Sequence, residues 1–221
     1  MIIIQSTLIF LITLYLILKI AKYFEVSKNN AIALHVFRTI ICIAFIPIAK
    51  FNDWDAAGYY EYAEIRGFFS TDLIMTLNFY LKNYLYLNIY STTLIFSFIG
   101  TIGGLILFSN IQNQSKNIDN SLVFLAKLIV FFPTLNIWTS AIGKDAITFT
   151  CINIIIYSLL NLKSRILILI ISTIILSMVR SYIGIVIVFA YIFVFSNKLD
   201  LKFFYKLLFI ILPIIGIILI N

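Results

Sequence analysis

Long apolar runs separated by short polar breaks dominate the chain, at 2–20, 31–49, 91–109, 122–142, 146–162 and 204–220. Each approaches the roughly 20 residues that an α-helix needs to cross a hydrocarbon core of about 30 Å. The apolar positions are continuous rather than alternating, which predicts helices and not the strands of a barrel. The stretch 166–196 is too long for one crossing, because a helix of that length would measure about 46 Å. Arg180 interrupts it, and a split there predicts short helices at 166–179 and 181–196. The fold expected is all-α, a polytopic transmembrane helix bundle of about eight spans.

Between the second and third runs lies the one sizeable loop. Its second half, DLIMTLNFYLKNYLYLNIY, mixes Leu and Ile with Tyr80, Tyr84, Tyr86 and Tyr90, whose rings favour the headgroup layer, so an interfacial helix is expected there. No Gly/Pro-rich hinge, low-complexity linker or internal repeat divides the chain, which reads as one integral membrane domain, 1–221. The opening run has no basic start and no small-residue cleavage site, so removal as a signal peptide is not expected.

Composition agrees: 62% of the 221 residues are hydrophobic and 11% charged. A soluble domain of this size has no means of hiding so much apolar surface. The net charge of +7 would suggest nucleic acid in a soluble protein, but here the basic residues cluster between apolar runs and act as topology signals. With the amino terminus outside, the inner loops hold Lys22 and Lys28, then Lys116, then Lys163 and Arg165, then Lys198, Lys202 and Lys206. Each inner loop is basic only if 166–196 crosses twice. Cys42, Cys151 and His35 lie within apolar runs without metal-ligand spacing and read as packing residues. Arg38 and Lys127 are expected to snorkel toward helix ends.

This topology gathers the polar chemistry on the outer face. Asp53 and Asp55 flank Trp54, and Tyr59, Tyr60, Glu61 and Glu64 follow, bracketed by Lys50 and Arg66. A carboxylate at a membrane surface beside a dry groove suits general-base work, since partial burial raises such a group toward the working pH. The alternative is that Asp53 caps a helix beginning near Ala56. In a helix, Asp55, Tyr59, Tyr62 and Arg66 would share a face. Lys144 and Asp145 follow Trp138 in FFPTLNIWTSAIGKD, either as a hairpin turn with Asp145 capping the next helix or as a cation for an anionic headgroup. Arg180, costly near hydrocarbon unless it faces a polar cavity or an anion, would join Lys144 in a pyrophosphate site.

The order of NDWDAAGYYEYA, PTLNIWTSAIGKD and VRSYIG resembles the polytopic polymerases and glycosyltransferases of bacterial surface polysaccharide assembly, O-antigen and capsule repeat-unit polymerases among them. The likeness covers roughly residues 50 to 185, in a chain shorter than such proteins usually are. It implies transfer of a glycan from an undecaprenyl pyrophosphate carrier to a second lipid-linked repeat unit at the periplasmic face of the bacterial inner membrane. Arg180 and Lys144 would steady the leaving group, Asp55 or Asp53 would deprotonate the acceptor, and Trp54, Tyr59 and Tyr60 would stack on sugars. The remaining substrate contacts expected are Asp145, Glu61 and Trp138. The partners implied are a polyprenyl-linked glycan, membrane lipid and other polysaccharide-assembly membrane proteins, with no nucleic acid. No cofactor is demanded, although the resemblance implies that the paired carboxylates Asp53 and Asp55 could hold Mg²⁺ in the manner of some relatives. A GT-C-like glycosyltransferase with a polyprenyl-phosphate donor and a non-enzymatic carrier or assembly subunit are the other classes in view.

Overall fold

A computed structural model describes residues 2–52, 54–115 and 120–198. Among them the regular structure is entirely helical: α1 (Ile2–Tyr23), α2 (Lys28–Phe51), α3 (Asp55–Glu61), α4 (Ser70–Asn83), α5 (Ile89–Gln114), α6 (Asn120–Val130), α7 (Pro133–Ser140), α8 (Lys144–Leu159), α9 (Leu162–Val179) and α10 (Ser181–Lys198). The apolar run at 204–220 lies outside the described residues, as do Asp53, Lys116, Lys202 and Lys206. Among the described helices, α1, α2 and α5 are long and apolar enough to cross a membrane.

The bundle inverts the usual soluble pattern. Ile3, Ile4, Leu11, Ile40, Ile43, Leu167 and Ile174 face outward, whereas Thr13, His35, Ser91, Thr92, Ser97, Thr101, Asn110, Asn136 and Asn153 are buried. The central helix, α5, carries the small residues that let backbones approach, the main source of helix association where lipid is as apolar as the side chains. A β-carbon at Gly103 would come within 2.8 Å of Phe149 and Thr150 on α8, and one at Gly104 within 2.9 Å of Leu34 on α2.

The helices part at Arg180 as the sequence predicts: α9 ends at Val179, α10 begins at Ser181, and Arg180 between them is extended at φ −140° and ψ 84°. Gly184 then packs on the Ser177 backbone, so α10 doubles back along α9. The expected run 122–142 is not one helix. The chain breaks at Phe131–Phe132, and α7 restarts with Pro133 in its first turn, where a residue lacking N–H is tolerated. The tyrosine-rich stretch holds a helix, α4, with Ile74, Met75 and Asn78 buried and Tyr80, Tyr84 and Tyr86 exposed around its C-terminal end.

Arg38 corrects the snorkelling expectation. It sits about 15 Å along α2 from Lys28, at 1.5 Å per residue, which is half of a roughly 30 Å core, and it is completely buried. Its guanidinium donates to Asn136 Oδ1 at 2.8 Å, to the Thr139 carbonyl at 2.6 Å and to Thr139 Oγ1 at 2.5 Å. Lys127 does remain partly exposed, with its ammonium 5.4 Å from the Phe108 ring. His35 has the packing role expected, stacked on Phe10 with Thr13 Oγ1 3.1 Å from its Nε2. Cys42 and Cys151 are buried and unpaired.

Side-chain contacts sort the helix ends into two groups. Gln5 near the start of α1 bonds the Tyr86 carbonyl and the Asn88 amide at the start of α5, and the Tyr60 hydroxyl from α3 donates to the Leu87 carbonyl. At the opposite end, Phe24 meets Tyr157 of α8, whose carbonyl accepts from Arg165 at the start of α9. The starts of α1, α5 and α8, the ends of α2 and α9, and all of α3 therefore share one end of the bundle.

Candidate functional site

At that end a cavity of about 440 Å³ opens between α2, α3, the turn from α7 to α8, and Arg180. Trp54 and Asp55 line it at the start of α3, where Asp55 occupies the first turn and its carboxylate favours the positive pole of the helix. The cap position belongs to Trp54, which makes no capping bond with its side chain, and the helix starts at Asp55, next to the expected start near Ala56, while Asp53 lies outside the described residues. Asp55 is exposed rather than partly buried.

Tyr59, one turn on from Asp55, also lines the cavity and bonds Thr71. Burial, reinforced by the Asp55 charge, holds its phenol above the ordinary value of 10, so the hydroxyl is a donor at neutral pH. The shared face ends there. The helix stops at Glu61, Tyr62 points to solvent, and Arg66 lies beyond the helix, paired with Glu64.

Two expected contacts fall elsewhere. Glu61 pairs with Lys50 at 3.5 Å and does not reach the cavity. Tyr60 turns away, its hydroxyl 2.8 Å from the Leu87 carbonyl and its ring under the Lys82 ammonium at 5.0 Å. It braces α3 against the start of α5.

The opposite wall is the α7–α8 turn. Trp138 stacks on Trp54 with centroids 6.1 Å apart and planes 30° from parallel, and Phe45 of α2 packs against Trp54 with centroids 5.2 Å apart. α8 begins at Lys144 with Gly143 as a cap lacking any side-chain bond, so its first amides have no partner within the helix at this wall. Asp145 is therefore not a cap but a first-turn residue, and its carboxylate pairs with Arg180. Arg180 also donates to the Tyr182 hydroxyl at 2.7 Å. Lys144 donates to Ser70 Oγ at 3.0 Å, a neutral partner.

Seven expected residues, Trp54, Asp55, Tyr59, Trp138, Lys144, Asp145 and Arg180, thus meet at one cavity from three separate stretches of chain. Sequence reasoning missed Ser70, Thr71 and Phe45. Ser70–Thr71–Asp72 is a helix-start signal, but nothing local marks the Ser70 backbone, which adopts a left-handed φ of 55° as α4 begins. Among the described residues no group of three or more His, Cys, Asp or Glu gathers to hold a metal. No protein family, curated protein or solved structure matches the chain.

Proposed function

We propose that the chain is an integral membrane glycosyltransferase of polysaccharide assembly, a polymerase that joins lipid-linked oligosaccharide repeat units at the outer face of a bacterial inner membrane. The observation that carries this reading is the convergence of Asp55, Lys144 and Arg180 with stacked Trp54 and Trp138 in one cavity at the bundle end. The reaction needs those parts. Lys144 and the first amides of α8 hold the phosphates of an undecaprenyl pyrophosphate donor. The acceptor hydroxyl oxygen attacks the anomeric carbon, the bond to the phosphate oxygen breaks with its electron pair, and Asp55 takes the hydroxyl proton. The tryptophans present faces on which sugar rings stack.

Topology fits the same reading. Eight crossings, with the described helices joined by the 204–220 run, would make every inner connector basic, and α4 would lie at the outer interface. A groove of about 590 Å³, lined by Phe69, Leu169, Ile174, Met178, Val188 and Tyr191, runs beside the cavity. Phe69 precedes Ser70, which holds Lys144, and Met178 lies two residues before Arg180. That continuity suits the isoprenoid chain of the donor.

A specific feature favours a second reading. Because Asp145 offsets Arg180, Lys144 is the cation with a neutral partner, a balance suited to one phosphate rather than two. A GT-C-like transferase using a polyprenyl-phosphate sugar would have that need. The buried Arg38 is the kind of intramembrane charge a carrier uses, but its three hydrogen bonds to α7 already employ it.

Chain-length analysis of the surface polysaccharide in cells carrying Asp55→Asn or Lys144→Gln, with membrane levels checked, separates the readings. Loss of polymerase leaves the lipid core with a single repeat unit, and loss of a transferase leaves an altered repeat. Normal polysaccharide in both variants would remove the enzymatic assignment.

A further inference from the structure

The most unusual group in the bundle is Arg38, a fully buried cation with no ion-pair partner among the described residues. Such a charge is costly unless its donors are well used. Its partners, Asn136 and Thr139, belong to one short element, α7, and are themselves buried. α7 has eight residues and is severed from α6 at Phe131–Phe132, so helical propensity alone cannot hold it. Asn136 ties the break by donating to the Val130 and Phe132 carbonyls, both at 2.9 Å, while its oxygen accepts from Arg38. The other arm of the guanidinium holds the Thr139 carbonyl, one of the last-turn acceptors that a helix leaves unsatisfied. A single planar fork thus grips both the tied break and the carbonyl end of α7.

Trp138 adjoins Thr139 and is 52% exposed, so its place in the cavity wall follows from its neighbours rather than from its own burial. We infer that Arg38 is a positioning residue: by clamping α7 it sets Trp138 and the turn at 141–143, the wall that faces Trp54 and Asp55. Its bearing on transfer rests on the functional reading above. Lysine would not replace it, because a point ammonium lacks the fork that reaches two acceptors in a fixed plane.

The chain contains two tryptophans, both in this cavity and stacked, so their excitonic circular dichroism reports the position of α7 directly. In purified protein, Arg38→Gln and Arg38→Lys should lose at least roughly half of that couplet. Ile155→Ala, a cavity in the core between α8 and α9 that includes no residue of α6 or α7, should lower the melting temperature and keep it. An unchanged couplet in folded R38K overturns the inference. Should the Arg38 variants fail to fold, Thr139→Val against Thr139→Ser decides: the serine keeps the acceptor and the couplet, the valine weakens it, and equal couplets overturn the inference. In a transfer assay R38K should raise KM roughly tenfold while kcat stays within about threefold, since Trp138 binds but does not react. Absence of transfer by the unaltered protein would defeat the functional reading, and the couplet would still judge Arg38.

Discussion

Asp145 and Arg180 show how a charge looks free in the sequence and is committed in the fold. Their pairing leaves Lys144 as the cation that meets a neutral hydroxyl, and the consequence can be measured. Asp145→Asn should release Arg180 and tighten binding of a phosphate-bearing lipid by a few-fold, whereas Lys144→Gln should weaken it by about tenfold or more, as for loss of a charge-assisted bond. Tighter binding in both would contradict this division. Asp55→Asn should slow transfer by about 10²–10⁴-fold, the usual contribution of a general base, with lipid binding little changed. Tyr59 adds a pH test. Its phenol is held above 10 by burial and by Asp55, so the folded state binds that proton more tightly than the unfolded chain. Stability from this group is complete below the unfolded value and declines as pH rises through the higher folded one. Phenolate absorbance at high pH should show several late-titrating tyrosines, and Tyr59→Phe should reduce their number by one.

At the scale of elements, α7 is where packing is least forgiving. A β-carbon at Gly100 of α5 would collide with the Thr139 carbonyl and the Arg38 guanidinium, so Gly100→Ala should cost about 1–3 kcal/mol as overpacking and disturb the tryptophan couplet. Thermal unfolding in detergent, read beside the couplet, checks both effects. Much of the fold was legible because hydrophobic run lengths report helices directly, and the break at Arg180 followed from one charge in an apolar run. The α6–α7 break did not. Pro133 permits either a kink or a restart, and what selects the restart is Asn136 meeting Arg38, 98 residues away. For the same reason Arg38 was misread, since distance from a helix end says nothing of what lies opposite. The cavity was largely legible because Trp, Asp, Lys and Arg stand out in an apolar chain. Glu61 and Tyr60 were lost from it because they lie on other faces of α3 than Asp55 and Tyr59, turned toward Lys50 and Leu87.

For the whole molecule, the two groups of helix ends define sidedness. Single cysteines replacing Asp55, Lys144 and Arg180 should react with an impermeant thiol reagent from one side of the membrane, and those replacing Lys28 and Gln112 from the other, with Cys42 and Cys151 silent because they are buried. Labelling of Asp55 and Arg180 positions from opposite sides would dismantle the site. The groove along α9 and α10 carries the last consequence. A reactant that slides in along an apolar furrow is dissolved in the bilayer, so the quantity governing its encounter is its mole fraction among lipids and not its molarity in the tube. Diluting the same amount of enzyme and reactant with inert phospholipid would then slow turnover, while adding buffer would leave it unaltered.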